Sequence, residues 1–375
     1  MNFSDRVFKN EERALYGLRD LYQQYGYARY KVSKFEEYDL YAHNKSFLVS
    51  ENILTFTDTN GKLMALKPDV TLSIVKNIRA DDTSTHKLYY NETVYRTSSG
   101  SDGFREIMQT GLECIGSIDL YATCEVLSLA QKSLALISDD YILDVSHLGF
   151  ITGLLETAGV ESSDSAALLA MIGNKNTSAI RAFCSARKIS DEMTQAICDI
   201  TGLYEPLETA LERVKGLVRG DKMQDAYDQL WGVLEMMRAY GVTERLYLDF
   251  SIVNDMNYYN GIIFRGFVNG VPDGILSGGR YDSLLQKMGK KSGAIGFAVY
   301  LDLLERLGGD QAHYDADTLL LYDDSAEPQK VIETATALRE SGSTVLVQRG
   351  EKGAIRSRKT LRMTGEGVEV LETND

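Results

Sequence analysis

Proline is scarce in this chain, with 4 in 375 residues, and its 32 glycines gather into no low-complexity tract. That excludes long Pro-rich or Gly-rich linkers. Cysteine is equally sparse. Cys114, Cys124, Cys184 and Cys198 form no Cys-x-x-Cys pair and no zinc spacing, so free, buried thiols in a reducing compartment are expected. Long apolar runs are missing. No stretch of 18 apolar residues occurs, and the opening Met-Asn-Phe-Ser-Asp-Arg has no apolar signal core. The expectation is a cytoplasmic protein that binds no membrane. Basic residues are in deficit: 40 Lys and Arg against 54 Asp and Glu give a net charge of −14 and a pI of about 4.9. Phosphate contacts dominate nucleic-acid affinity and need a dense basic face, so tRNA is not an expected partner. His43, His86, His147 and His313 are scattered, with no His-x-x-x-His or triad pattern, and neither GxGxxG nor GxxxxGK[ST] appears. Neither metal nor nucleophilic catalysis is expected, and no cofactor.

What is present is an ordinary soluble composition, 44% hydrophobic and 25% charged, in a chain long enough for two or three domains. Leu15, Leu18, Tyr22 and Tyr25 recur at helical spacing in residues 7–25, and Gly26 ends that helix. Extended segments are expected at Tyr30–Val32 and Leu54–Thr57, with a turn at Thr59-Asn60-Gly61. Lys87–Arg96 and Gln109–Cys114 read as strands, and residues 120–138 as a helix. Residues 147–240 are rich in Ala, Leu, Glu, Met and Lys, and form a helical insertion. Its stripe of Met223, Tyr227, Leu230, Leu234 and Met237 is read as core rather than a partner seam. Strands return at Leu246–Phe250 and Ile262–Phe267. Beyond Thr318, Leu319–Tyr322, a helix through Val331, Ala335 and Leu338, and Val345–Val347 make one βαβ unit, with Ser325 as the helix N-cap and Gly342 past its end. A Lys/Arg-containing stretch, Arg349–Arg362, follows.

Five segments carry binding chemistry. In Leu66-Lys67-Pro68-Asp69-Val70-Thr71, Asp69 is a natural partner for an α-ammonium group, since ionised hydrogen bonds are strong; a solvated turn around Pro68 is the alternative. In Val94-Tyr95-Arg96, Arg96 presents a fork of donors suited to carboxylate or phosphate. In Gln109-Thr110-Gly111-Leu112-Glu113, strand alternation puts Gln109, Gly111 and Glu113 on one face, with Gly111 leaving room between two polar groups. Such a pair can bind an imidazole, the acid taking an N–H and the amide orienting the ring; a solvent-facing strand is the alternative. The fourth segment is Ile252-Val253-Asn254-Asp255-Met256-Asn257-Tyr258-Tyr259-Asn260-Gly261, and the fifth is Ser277-Gly278-Gly279-Arg280-Tyr281-Asp282-Ser283-Leu284.

Together these closely resemble the marker segments of histidyl-tRNA synthetase, over roughly residues 5–308. The resemblance implies an α+β fold: a class II aminoacyl-tRNA synthetase-like antiparallel sheet flanked by helices, with a helical insertion and a small C-terminal α/β unit. The implied domains are a core of 1–146 with 241–310, an insertion of 147–240 and a C-terminal domain of 315–375. It also implies a histidine site made of Asp69, Thr71, Arg96, Gln109, Glu113, Tyr258, Tyr259 and Tyr281.

The departures point one way. Asn254 stands where the synthetases have the arginine that helps activate histidine. Ser98 stands where they have a glutamate after the second segment's arginine. In Gly296-Phe297-Ala298-Val299-Tyr300-Leu301-Asp302-Leu303, Tyr300 replaces a glycine and Leu303 the arginine that stacks on ATP. Ser33 lies near the expected motif 1 proline. Loss of charge at Asn254 and Leu303 removes electrostatic stabilisation, usually the largest catalytic contribution. The chain is therefore similar to the regulatory subunits of ATP phosphoribosyltransferase, a synthetase-like family without aminoacylation activity. That resemblance implies a homodimer within a hetero-octamer. The partner is the short catalytic subunit of histidine biosynthesis, and the effector is L-histidine. A working histidyl-tRNA synthetase, or a stand-alone amino-acid sensor, is the rival.

Overall fold

The computed structural model describes residues 9–48, 52–78, 85–97, 103–253, 258–308 and 314–374. They fall into two compact units, residues 1–307 and 308–375.

The first unit opens with helix α1 (Asn10–Gln24), which buries Leu18 and Tyr22 and stops where Gly26 takes φ +79. A glycine adopts that left-handed conformation at no steric cost. Next come β1 (Ala28–Arg29), β2 (Phe35–Glu37), α2 (Tyr38–Ala42), β3 (Thr55–Thr57), β4 (Leu63–Leu66) and α3 (Thr71–Asn77). The extended segment expected at Tyr30–Val32 forms no strand. The strand lies just before it, in β1, whose parallel pairing with the later strand at Leu88–Tyr89 is carried on by Tyr30 N donating to Tyr89 O; it stops at Val32, whose amide donates to the Glu92 side chain. The expected turn at Thr59-Asn60-Gly61 closes the β3–β4 hairpin. Asp58 Oδ1 accepts from the amides of Asn60 and Lys62 there, and Gly61 takes φ +80.

Two long antiparallel strands follow, β5 (His86–Thr97) and β6 (Phe104–Gly116), then α4 (Leu120–Ile137) and β7 (Tyr141–His147). Asp119 caps α4 by accepting from Ala122 N, satisfying one of the unpaired first-turn amides. The helical segment runs through α5 (Leu148–Thr157), α6 (Ser162–Gly173), α7 (Thr177–Ala186), α8 (Asp191–Gly202), the short β8 (Glu205–Pro206), α9 (Leu207–Val214) and α10 (Gly220–Tyr240). The unit ends with β9 (Leu246–Leu248), β10 (Ile262–Val268), β11 (Leu276–Arg280), α11 (Asp282–Lys287) and β12 (Gly293–Tyr300).

Nine strands make the main sheet in the order β1-β5-β6-β12-β11-β10-β7-β9-β8. From β5 to β7 every neighbour is antiparallel, and both margins are strands of two residues. One face packs on α1 and α4: Tyr22 meets the Phe297 ring edge-on at 6.0 Å, and Leu134 sits where a side chain at Gly266 would be. The α10 stripe of Met223, Tyr227, Leu230, Leu234 and Met237 is buried in that same hydrophobic cluster, as core and not as an exposed seam. Each such fully buried aliphatic side chain stabilises the fold by roughly 1.5–3 kcal/mol. On the opposite face a second cluster, including Tyr41, Leu72, Ile74 and Leu284, joins α2, α3 and α11 to one end of the sheet.

The second unit has β13 (Ala316–Tyr322), α12 (Pro328–Glu340), β14 (Val345–Arg349), β15 (Ser357–Thr364) and β16 (Gly367–Thr373), paired as β14-β13-β15-β16. The expected βαβ unit is present, but the Lys/Arg-containing stretch also holds a strand: β15 pairs parallel to β13 and antiparallel to β16. Its Leu361 and Met363 point inward on either side of Arg362, after the exposed Arg358 and Lys359. Ser325 does not cap α12. Glu327 occupies the cap position, with Pro328 in the first turn, while Ser325 bonds Asp323 and accepts from Gly365 N. Proline suits a first turn because its missing N–H would be unpaired there anyway.

All four cysteines are free and buried. Among the described residues no helix is long and apolar enough to cross a membrane.

Candidate functional site

A cavity of about 610 Å³ lies on the sheet face that carries Gln109, Gly111 and Glu113. Asp69, Thr71, Arg96, Gln109, Glu113, Tyr258, Tyr259 and Tyr281 all line it. They arrive from five places: the start of α3, strand β5, strand β6, the segment before β10, and the turn into α11. Asn254 and Ser98 lie outside the described residues.

Glu113 is the centre of the arrangement. Thr71 Oγ1 donates to its Oε1 at 2.7 Å, and the Tyr281 hydroxyl donates to its Oε2 at 2.5 Å. The carboxyl is 2% exposed and has no cation within ion-pair distance among the described residues. Burial pushes its pKa up to about 8, against the two hydroxyl donors, which favour the charged form. Gln109, two residues back on the same face, leaves its buried Nε2 without a partner. A buried amide hydrogen with no acceptor is uncommon in folded proteins and marks a place where a ligand can supply one.

Asp69 holds the entrance to α3, its Oδ1 accepting from Leu72 N at 2.8 Å. Burial raises its pKa, and the nearby Arg96 guanidinium opposes that rise. Arg96 is itself steered by one bond, Nε donating to Pro68 O at 2.9 Å. This leaves a carboxylate and a guanidinium together in the cavity lining, complementary to the ammonium and carboxylate of a free amino acid.

Tyrosines wall the cavity. The rings of Tyr258 and Tyr259 meet at 4.8 Å, and those of Tyr258 and Tyr281 at 5.5 Å. Glycines make the room they occupy. A side-chain carbon at Gly279 would lie 2.7 Å from the Tyr259 ring, and one at Gly296 would clash with Glu113 Oε2. The room expected above Gly111, between Gln109 and Glu113, is not open. The Tyr90 hydroxyl fills it, 2.6 Å from where a Cβ would sit. Tyr90 was not singled out from the sequence, although counting back by twos from Arg96 along β5 places it on the same face. Asp144, Asp249 and Arg265 also reach the cavity and carried no comparable signal.

The two departures at the end of β12 have clear places. Tyr300 pairs in register with Gln109, lines the cavity and bonds the Ser277 hydroxyl at 2.8 Å. Leu303, on a 3-10 turn (Leu301–Gly308), packs against the main hydrophobic cluster. Neither brings charge to the cavity.

A helix-backed antiparallel sheet with a polar, tyrosine-walled cavity on its other face defines a class II aminoacyl-tRNA synthetase-like protein. A family model described as histidyl-tRNA synthetase matches residues 3–304. The chain is 31% identical over 340 residues to the ATP phosphoribosyltransferase regulatory subunit of Caldanaerobacter subterraneus subsp. tengcongensis, covering 87% of each chain. It therefore belongs to the histidyl-tRNA synthetase-like family of ATP phosphoribosyltransferase regulatory subunits. Among solved structures, the ATP phosphoribosyltransferase regulatory subunit/histidyl-tRNA synthetase from Bacillus halodurans C is similar, with a TM-score of 0.72, 25% identity and coverage of 94% and 93% of the two chains. The ATP phosphoribosyl transferase (HisG:HisZ) complex from Thermotoga maritima contains a chain of the same fold, with a TM-score of 0.62, 19% identity and coverage of 78% and 97%.

Proposed function

We propose that this chain is the non-catalytic regulatory subunit of an ATP phosphoribosyltransferase. It activates a short catalytic subunit and carries feedback inhibition by histidine, within a hetero-octamer. The observation that carries the reading is the Glu113 cluster. A buried acid braced by Thr71 and Tyr281, next to the unpaired Gln109 amide, suits an imidazole, while Asp69 and Arg96 suit the ammonium and carboxylate of the same molecule. A ligand that prefers one quaternary state shifts an assembly toward it, so a bound end product can control a partner enzyme. The relatives' shared name supports the choice of partner.

The test is to purify the chain with a short-form catalytic subunit and measure phosphoribosyl transfer with and without L-histidine. The rate is expected to rise in the complex and to fall with histidine. A partner whose rate and histidine response are unchanged by this chain would overturn the reading.

The second reading is a working histidyl-tRNA synthetase, favoured by the name of the family model. Against it, Leu303 offers no guanidinium for ATP, and Tyr300 occupies the cavity beside Gln109. Histidine-dependent pyrophosphate exchange with ATP separates the two: no exchange above the no-enzyme control is expected.

A further inference from the structure

The cavity is longer than its Glu113 end. From β6 to β7 the sheet runs through β12, β11 and β10, four inter-strand steps. At 4.7–4.9 Å a step, that separates Glu113 from the β7 side chains by about 19 Å. One free amino acid bound at Glu113 cannot reach so far.

The far end has its own polar set. Asp144 on β7 and Arg265 on β10 are direct cross-strand partners, so both project onto the cavity face. Opposite charges so placed are within reach of an ion pair, yet none forms. Arg265 turns instead across the Phe267 ring, 5.3 Å from its centroid, and lies against Gly274, where any side chain would collide with it. Asp144 is 5% exposed, and its Oδ1 has no hydrogen-bond partner. The neighbouring groups are engaged. Asp249 accepts from Lys175 Nζ and from Ser251 N, and Lys175 stands over the Tyr204 ring.

We infer that this far end is a second binding site, for the zwitterion of a free α-amino acid. Its ammonium bonds Asp144 Oδ1, and its carboxylate bonds the Arg265 guanidinium. The chemistry excludes the simpler ligands. A lone cation would meet Arg265 without using it, and no group of three or more metal-ligating side chains exists among the described residues. A phosphorylated ligand would face two carboxylates, Asp144 and Asp249. Only a compact molecule carrying both charges on neighbouring atoms bridges a pair that stands adjacent and unjoined. The site stands whether or not histidine occupies the Glu113 end.

Ligand-observed NMR with each of the twenty standard L-amino acids, on the full chain and on Glu113→Ala, tests it. At least one amino acid should still bind Glu113→Ala. Its affinity should fall at least tenfold in Asp144→Asn and, independently, in Arg265→Met, whose side chain is less buried and safer to change. The amine lacking the carboxylate should not bind. If no amino acid binds Glu113→Ala, or if remaining binding ignores both substitutions, this second site is refuted while histidine at Glu113 survives. Histidine binding that depends on Asp144 and not on Glu113 would do the reverse.

Discussion

Glu113 is an acid held ready for a proton-bearing ring. Its oxygens receive hydrogens from Thr71 and Tyr281, which favour the carboxylate, and burial without a cation wins against them. In the empty cavity it is protonated below about pH 8. A bound imidazole can share that proton as an imidazolium–carboxylate pair, replacing the missing cation. Histidine affinity should then be level from pH 6.5 to 8 and weaken above 8, as the empty site loses its proton. Titration calorimetry checks this, and Glu113→Gln should show no break at 8. The same raised pKa works on stability in one direction. The folded state holds the proton more tightly than the unfolded chain, so the contribution present below the ordinary carboxyl range is lost as pH rises toward 8. Glu113→Ala should weaken histidine binding by about 1.5–3 kcal/mol, tenfold to hundredfold, the cost of removing one partner of a charged hydrogen bond. Unchanged binding would move the ligand elsewhere.

Strands and helices show where sequence was legible. The α10 stripe was expected because it carries a long period; β5 and α4 were read close to their bounds, and β6 only over Gln109–Cys114 of its Phe104–Gly116. The segment around Tyr30–Val32 was placed about two residues late, since three residues have no period and the bounds of β1 are set by Tyr89 and Glu92, far along the chain. β15 was obscured by the Arg and Lys on its outer face. The candidate residues came from quoted motifs, whereas Tyr90, Asp144 and Arg265 depend on which strands become neighbours, and single segments do not record that. Glycine choice on β12 follows from that neighbourhood. A methyl group at Gly296 meets Glu113 Oε2, so Gly296→Ala should abolish histidine binding and destabilise the protein by about 1–3 kcal/mol. Urea unfolding beside calorimetry separates the two effects. In α10, Leu230→Ala should cost about 2–5 kcal/mol of stability and leave affinity for histidine unchanged, because Leu230 is fully buried in the cluster behind the sheet.

At the scale of the molecule, association is the open variable. Tyr16 on α1 and Leu136 on α4 are 51% and 43% exposed, and Leu136 lies against Gly17 of α1. We expect the isolated chain to be a homodimer by light scattering, and Tyr16→Glu with Leu136→Glu to make it a monomer; a wild-type monomer would sink the assembly proposed above. The margins of the main sheet offer little for backbone pairing between chains. β1 and β8 make two register pairs each with their neighbours. They present too little free backbone to template an incoming strand. A nine-stranded sheet with longer margins would invite fibril-like stacking whenever the protein is concentrated. In the main sheet that route is closed by shortness alone, so through it chains can meet only by surfaces their side chains define, whereas β16, seven exposed residues at the margin of the second sheet, keeps its edge open.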